Sequence, residues 1–333
     1  MISRTLMQKF LIVTTLTMVI AALSACGKSE QETAATNAAA AAERAARLAY
    51  DKEIADWRAD RLVRLQRPTG WLSLVGMHWV EVGTTRVGSA QDNGTQLRAG
   101  PAHIGILTLD KSGKLTFVAQ HGADITIDDK PAVGRVTLIA DVDAGDAGPT
   151  VVGFNKGDAS FIVIKRGERY ALRVRDALAQ TRTGFVPIPY FDIDPAFRLK
   201  AKFTPHEPGK KMDVLNIISI VEPMDNPGTV TFEKDGKSFT MEAIDEGDHR
   251  LFFTFADRTS GHESYAAARF VYAAYPGPDG TTILDFNKTY DPPCAFTPYA
   301  TCPLPPAQNR LDLAIRAGEK KPLHGIHEDT PKP

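Results

Sequence analysis

From Gly70 onward the chain alternates short apolar runs with clusters of Gly, Asp, Asn and Pro, with a spacing of about ten residues. The runs at 105–109, 114–119, 124–127, 135–140, 160–165 and 169–174 are predicted as strands, with turns at 110–113 and 128–130. A second block places strands at 215–221, 228–233, 238–243, 250–255, 264–273 and 281–286. Short strands at this spacing argue for antiparallel sandwiches or barrels rather than βαβ units. Upstream the texture differs. Ala, Glu, Arg, Leu and Asp dominate residues 38–65, and Leu48, Ile54, Trp57, Leu62 and Leu65 trace an imperfect helical stripe. Arg67-Pro68-Thr69-Gly70 ends that helix. The fold class expected is mainly β: two antiparallel β-rich halves, preceded by one long helix and closed by an irregular C-terminal strap.

The strap, residues 284–319, holds two of the three cysteines and six of the 22 prolines. Each Pro removes an N–H donor and fixes φ, so this stretch is neither a regular helix nor a central strand. The N-terminus is equally specified. Arg4 and Lys9 precede an apolar run from Phe10 to Ala22, which is followed by Leu23-Ser24-Ala25-Cys26-Gly27. This resembles the lipobox of bacterial lipoproteins. The resemblance implies cleavage before Cys26, acylation of Cys26, and a bilayer partner. The residue after Cys26 favours the outer membrane, periplasmic side. The expected organisation is a signal peptide (1–25), a tether (26–37), a helix (38–68), a first β domain (69–186), a second β domain with the strap (187–323) and a tail (324–333).

With Cys26 assigned to lipid, Cys294 and Cys302 remain as an even pair in an oxidising compartment. A disulfide across so short a loop contributes roughly 2.5 kcal/mol on the chain-entropy model. A metal site is the rival reading, although the spacing is not CxxC and no His lies nearby. A formal net charge of −1 gives no electrostatic case for nucleic acid. The sequence carries no G-x-S-x-G, S-x-x-K, H-E-x-x-H, Walker, G-x-G-x-x-G or C-x-x-C motif, and no cofactor or metal is expected.

The most informative polar residues are Asp257, Thr259, Gly261, Glu263, Tyr265 and Arg269-Phe270. They are followed by Leu284-Asp285-Phe286-Asn287, Tyr290, Pro292 to Phe296, Thr301 to Pro306, Asn309 to Leu311 and Ala317 to Glu319. Upstream, Trp57, Gly70-Trp71-Leu72 and Gly83 fit the same pattern. Together they resemble a bacterial and archaeal family known as domain of unknown function number 1684. Ser264, where Thr is expected, and Ala268, where Gly is expected, are mild departures. The resemblance implies no activity.

If 264–273 is a strand, Tyr265 and Arg269 share a face, as do Asp285 and Asn287 on 281–286. The turn at 276–280 reads as a hairpin that makes these strands neighbours. Asp257, Glu263, Tyr265, Arg269, Asp285 and Asn287 then cluster beneath the strap. Two readings are open: a pocket in which Arg269 clamps an anion and Asp257 or Glu263 acts as base, or a buried network that pins the strap. His262 beside Glu263 faces the other way on a strand, and His78, His103 and His206 are isolated. The leading functional expectation is a binding or envelope-interaction module, with a small molecule or an envelope protein as its ligand. The alternative is a small-molecule hydrolase or related enzyme using Asp257, Glu263 and Arg269.

Cys26→Ala is expected to release the protein from the membrane fraction into the soluble fraction on ultracentrifugation; a variant that still pellets with membranes would overturn the lipoprotein reading.

Overall fold

The computed structural model describes the backbone of residues 4–323 and the side chains of residues 33–323. Cys26, expected as an acylation site, the expected signal segment 1–25 and the tail 324–333 therefore lie outside the described side chains. A helix runs Arg4–Leu65. The stretch 26–37, expected as a tether, is part of that helix, because its Ala, Glu and Gln favour helix even with nothing to bury. Surface pairs Arg47–Asp51 at 2.8 Å and Lys52–Asp56 at 2.6 Å, four residues apart, support it locally. Among the described residues no helix is long and apolar enough to cross a membrane. Residues up to Asp56 form one compact unit and those from Trp57 onward another.

The second unit is built from four sheets whose pairings are antiparallel except for one short parallel pair, Thr95–Gln96 against Gly83–Gly88. The first sheet runs Leu74–Val80, Arg169–Asp176, Ala159–Arg166, Val152–Phe154, Thr126–Ile127 and Lys130–Pro131. The second runs Thr95–Gln96, Gly83–Gly88, Gly105–Leu109, Leu115–Ala119 and Arg135–Leu138. Their facing sides interdigitate around Phe117, Phe161, Leu107, Leu172 and Val174, all fully buried. This is a sandwich, with side chains alternating inward and outward along each strand.

The third sheet runs Lys237–Glu242, Gly228–Lys234, Arg198–Pro205 and Thr281–Asp285. The fourth runs Lys211–Leu215, Val221–Asp225, Ile244–Asp245, Arg250–Phe255 and Arg269–Ala274. Phe232, Phe253, Phe255, Val271, Leu284 and Phe286 fill the space between them. None of the four sheets closes into a barrel.

Two sequence expectations give way here. Residues 215–221 are not a strand but the tip of a hairpin between Lys211–Leu215 and Val221–Asp225. The Asn216 side-chain oxygen accepts from the Ile218 and Ile220 N–H groups, folding an apolar run into a turn. The strands on either side of 276–280 are not paired neighbours. Arg269–Ala274 pairs with Arg250–Phe255, whereas Thr281–Asp285 pairs with Arg198–Pro205. The turn carries the chain across the sandwich, so Val271 and Leu284 meet face to face in the core rather than side by side.

Residues 294–302 of the strap lie between the outer faces of the first and fourth sheets, while Leu311, Leu313, Ile315 and Ala317 pack into the core of the second sandwich. Tyr299 joins Leu74, Met77, Ile162, Ile164 and Ala171 on the outside of the first sheet. Cys294, Ala300 and Cys302 join Val214, Ile244, Phe252 and Phe270 on the outside of the fourth. The strap thus covers an outer face of each half and also completes the core of the second.

Candidate functional site

The strap is irregular, and several of its buried carbonyls are answered by side chains from outside it. Arg269, completely buried, donates from Nη1 to the Ala317 carbonyl at 2.8 Å and from Nη2 to the Ile315 carbonyl at 2.8 Å. Its charge is met by Asp257 at 3.1 Å, and its guanidinium lies 5.2 Å from the centre of the Phe255 ring. Burial still pushes the Arg269 guanidinium below its ordinary value, with Asp257 pulling the other way. Asp257 also accepts from Thr259, Ser260 and the Ile315 N–H. Asp285 caps the turn at Phe286–Lys288 by accepting from the Asn287 N–H, and Asn287 exchanges two hydrogen bonds with the Asp194 backbone. Tyr265 donates to the Cys294 carbonyl at 3.0 Å, and Glu263 pairs with Arg316 at the surface. Of the six residues singled out from the sequence, Asp257 meets Arg269 and Asp285 meets Asn287 directly. Tyr265, Glu263, Asp285 and Asn287 each hold a different part of the strap or its approach. Tyr265 lies in the loop before Arg269–Ala274, so it does not share a strand face with Arg269.

A second buried network centres on Glu319, which the sequence marks only through the family resemblance. Glu319, fully buried, accepts from Arg61 at 3.0 Å, from Tyr190 at 3.2 Å and from the Asp291 N–H at 2.6 Å. Arg61 also donates to the Asp291 carbonyl, and its guanidinium lies 4.6 Å from the centre of the Tyr290 ring. The Asp291 carboxyl is fully buried, and neither oxygen has a partner among the described residues. Burial, and then the neighbouring Glu319, push it well above the usual carboxylate range. Just before Glu319 stands Gly318, whose φ of +79° and close approach to the Thr289 carbonyl exclude any side chain.

The strap's cysteines are free thiols in the structure, so the expected disulfide is not formed. The Cys294 N–H donates to the Cys302 sulfur at 3.2 Å. A hydrogen bond from Cys302 holds the Cys294 thiol below its ordinary value, while burial pushes Cys302 well above. Among the described residues no group of three His, Cys, Asp or Glu could hold a metal.

Beside the strap opens a cleft of about 950 Å³. One wall is aromatic: Tyr272 and Tyr290 stack with planes 9° apart, Phe252 packs edge-on to Phe270, and Trp57 approaches Tyr290. The cleft is also rich in cations. Arg61, Arg64, Arg67, Arg166, Arg173, Arg250 and Lys288 line it against a single carboxylate, Glu246. Arg61, Arg166 and Arg250 are paired with Glu319, Asp141 and Asp248. Arg64, Arg67 and Arg173 have no acidic partner among the described residues. Burial, followed by the like charge of Arg166, pushes Arg173 down to about 10. Cys302 and Thr301 also face the cleft, whereas Asp257, Glu263, Tyr265, Arg269, Asp285 and Asn287 are not among the residues that line it.

The buried network and the cleft's aromatic wall fall largely within residues 183–320, which match the family described as protein of unknown function DUF1684. This region belongs to that family. The DUF1684 match begins downstream of Trp57, Gly70–Leu72 and Gly83, so those residues lie outside it. An uncharacterized protein of Haloarcula marismortui, solved by solution NMR, is similar at 34% identity. The likeness covers 42% of this chain and 78% of that one, with a TM-score of 0.34. Comparison with curated proteins gave no match.

Arg269→Met leaves Asp257 buried without its cation and two strap carbonyls without a donor. It is expected to destabilise the fold by about 3–5 kcal/mol, seen as a lower midpoint in urea unfolding followed by circular dichroism. An unchanged midpoint would show that the pair does not hold the strap.

Proposed function

We propose that this chain is a lipid-anchored, periplasm-facing binding module whose cleft takes an anionic small molecule with an apolar part. The observation that carries this reading is the concentration of cations in one cleft of a chain whose net charge is −1. Three of its arginines lack acidic partners, so the charge is not consumed by the fold. Opposed to it is an aromatic wall, and concave sites that pair apolar lining with a few convergent charges are the usual form of small-molecule sites. Lipidation at Cys26 would hold this cleft at a membrane surface. The buried pair Asp257 and Arg269 is taken up by strap backbone, so no observation favours it as an acid–base apparatus.

Trp57 and Trp71 line the cleft and report on it. Titration with 8-anilino-1-naphthalenesulfonate, an aromatic anion, is expected to quench tryptophan fluorescence saturably. Raising salt, or the double charge reversal Arg64→Glu with Arg67→Glu, should weaken binding several-fold. Binding that is absent, or indifferent to both changes, would overturn the reading.

In an oxidising compartment the adjacent Cys294 and Cys302 thiols are proposed to close as a disulfide, giving up two electrons and two protons to a small disulfide oxidant such as oxidised glutathione. Mass labelling of protein isolated under non-reducing conditions, with a thiol-specific reagent in denaturant, should then find neither residue labelled. Two labelled cysteines would exclude the bond.

A further inference from the structure

Strand Arg169–Asp176 alternates with period two, so Leu172 and Val174 enter the sandwich core while Ala171 and Arg173 point to the strap. Arg173 stands opposite Met77 on one neighbouring strand and Ile162 on the other. Arg166 and Arg175 share this face, but Arg173 is the most buried of the three, only 5% exposed, beside Met77, Ile162, Ile164 and Ala171. Its Nη2 donates to the Thr301 hydroxyl at 3.2 Å, its Nε has no partner among the described residues, and its guanidinium lies 5.6 Å from the Trp71 ring centre. Arg166 donates to the same hydroxyl at 2.9 Å, and its charge is met by Asp141 at 2.8 Å. Asp141 in turn accepts from the Lys165 N–H through its other oxygen. One carboxylate therefore serves two guanidinium groups, and a hydroxyl that accepts from both cannot neutralise the second.

A buried cation without a counter-ion is among the costlier arrangements in a protein, and an apolar residue of similar volume would pack between Met77 and Ile162 without that cost. The fold gives no reason for Arg at this position, while the cleft it lines does. We infer that Arg173, Arg166 and Thr301 form an oxyanion subsite at the floor of the cleft, which takes the carboxylate or phosphate group of the ligand. This rests on the reading of the cleft as a ligand site. Guanidinium offers planar, forked donors suited to both groups. Because Thr301 accepts from both arginines, its own O–H is left to donate to the bound oxygen.

The test compares wild type with Arg173→Met and Arg173→Lys, titrating inorganic phosphate and benzoate separately by calorimetry, with thermal unfolding measured in their absence. Wild type is expected to bind at least one of the two, and which one identifies the head group. The Met variant should lose at least tenfold in affinity for that probe and melt no lower than wild type. The Lys variant, keeping charge but not the fork, should fall between. A Met variant that binds as wild type does, or that melts lower or fails to fold, would overturn the subsite by making Arg173 a structural residue. Wild type that binds neither oxyanion, yet still binds the naphthalenesulfonate in a salt-sensitive way, would overturn the subsite and leave the cleft reading standing.

Discussion

An irregular backbone buried against the sheets cannot satisfy its own carbonyls, and much of the second unit can be understood as the answer to that constraint. Arg269 reaches the carbonyls of Ile315 and Ala317, Arg61 that of Asp291, and Tyr265 that of Cys294. Asn309 works in reverse: from within the strap it donates to the carbonyls of Glu242 and Thr254 and accepts from the Glu242 N–H. Charged donors are used where the burial is deepest, because bonds to ionised groups are about twice as strong as neutral ones. Each such donor then needs a counter-charge, which brings Asp257 and Glu319 inside. The polar interior is in this sense a consequence of the strap.

The cleft follows from the same arrangement. An irregular segment between two flat sheet faces cannot fill the space as regular elements would, and the gap it leaves is lined by whatever each face presents. From the fourth sheet this is the aromatic set Phe252, Phe270 and Tyr272. From the first sheet it is Arg166 and Arg173. The contrast between Arg269 and Arg173 is instructive. Both are buried arginines on sheet faces turned to the strap, yet one has a carboxylate and two carbonyls, and the other a hydroxyl.

Much of the fold was legible in the sequence where turn residues bracket an apolar run. Residues 105–109 and 250–255 coincide with Gly105–Leu109 and Arg250–Phe255 because Asp, Gly and His flank them. It failed where the turn chemistry was hidden. A single Asn216 folds the apolar stretch 215–221 back on itself, and two prolines around Gly277 change sheets instead of closing a hairpin. For the site, the strap and its polar anchors stood out by composition. Arg173 did not, since alternation in Arg169–Asp176 says only that it faces away from the core. That the far side is a second buried layer depends on Thr301, which is 128 residues distant.

The bonds that bury the strap span long stretches of chain: Arg61 to Glu319 is a separation of 258 residues, and Arg61 to Asp291 one of 230. Contacts of this range bear the full entropy of loop closure before they contribute, so they form late and slowly. The outer faces of both sandwiches, with Met77, Ile162, Phe252 and Phe270 on them, stay uncovered until the last thirty or so residues of the unit have been delivered and threaded between them. While it folds, the chain would pass through a stage in which the first half has its own core, the second still lacks Leu311, Leu313, Ile315 and Ala317, and both expose an apolar face; that interval is when the protein most needs shielding from self-association.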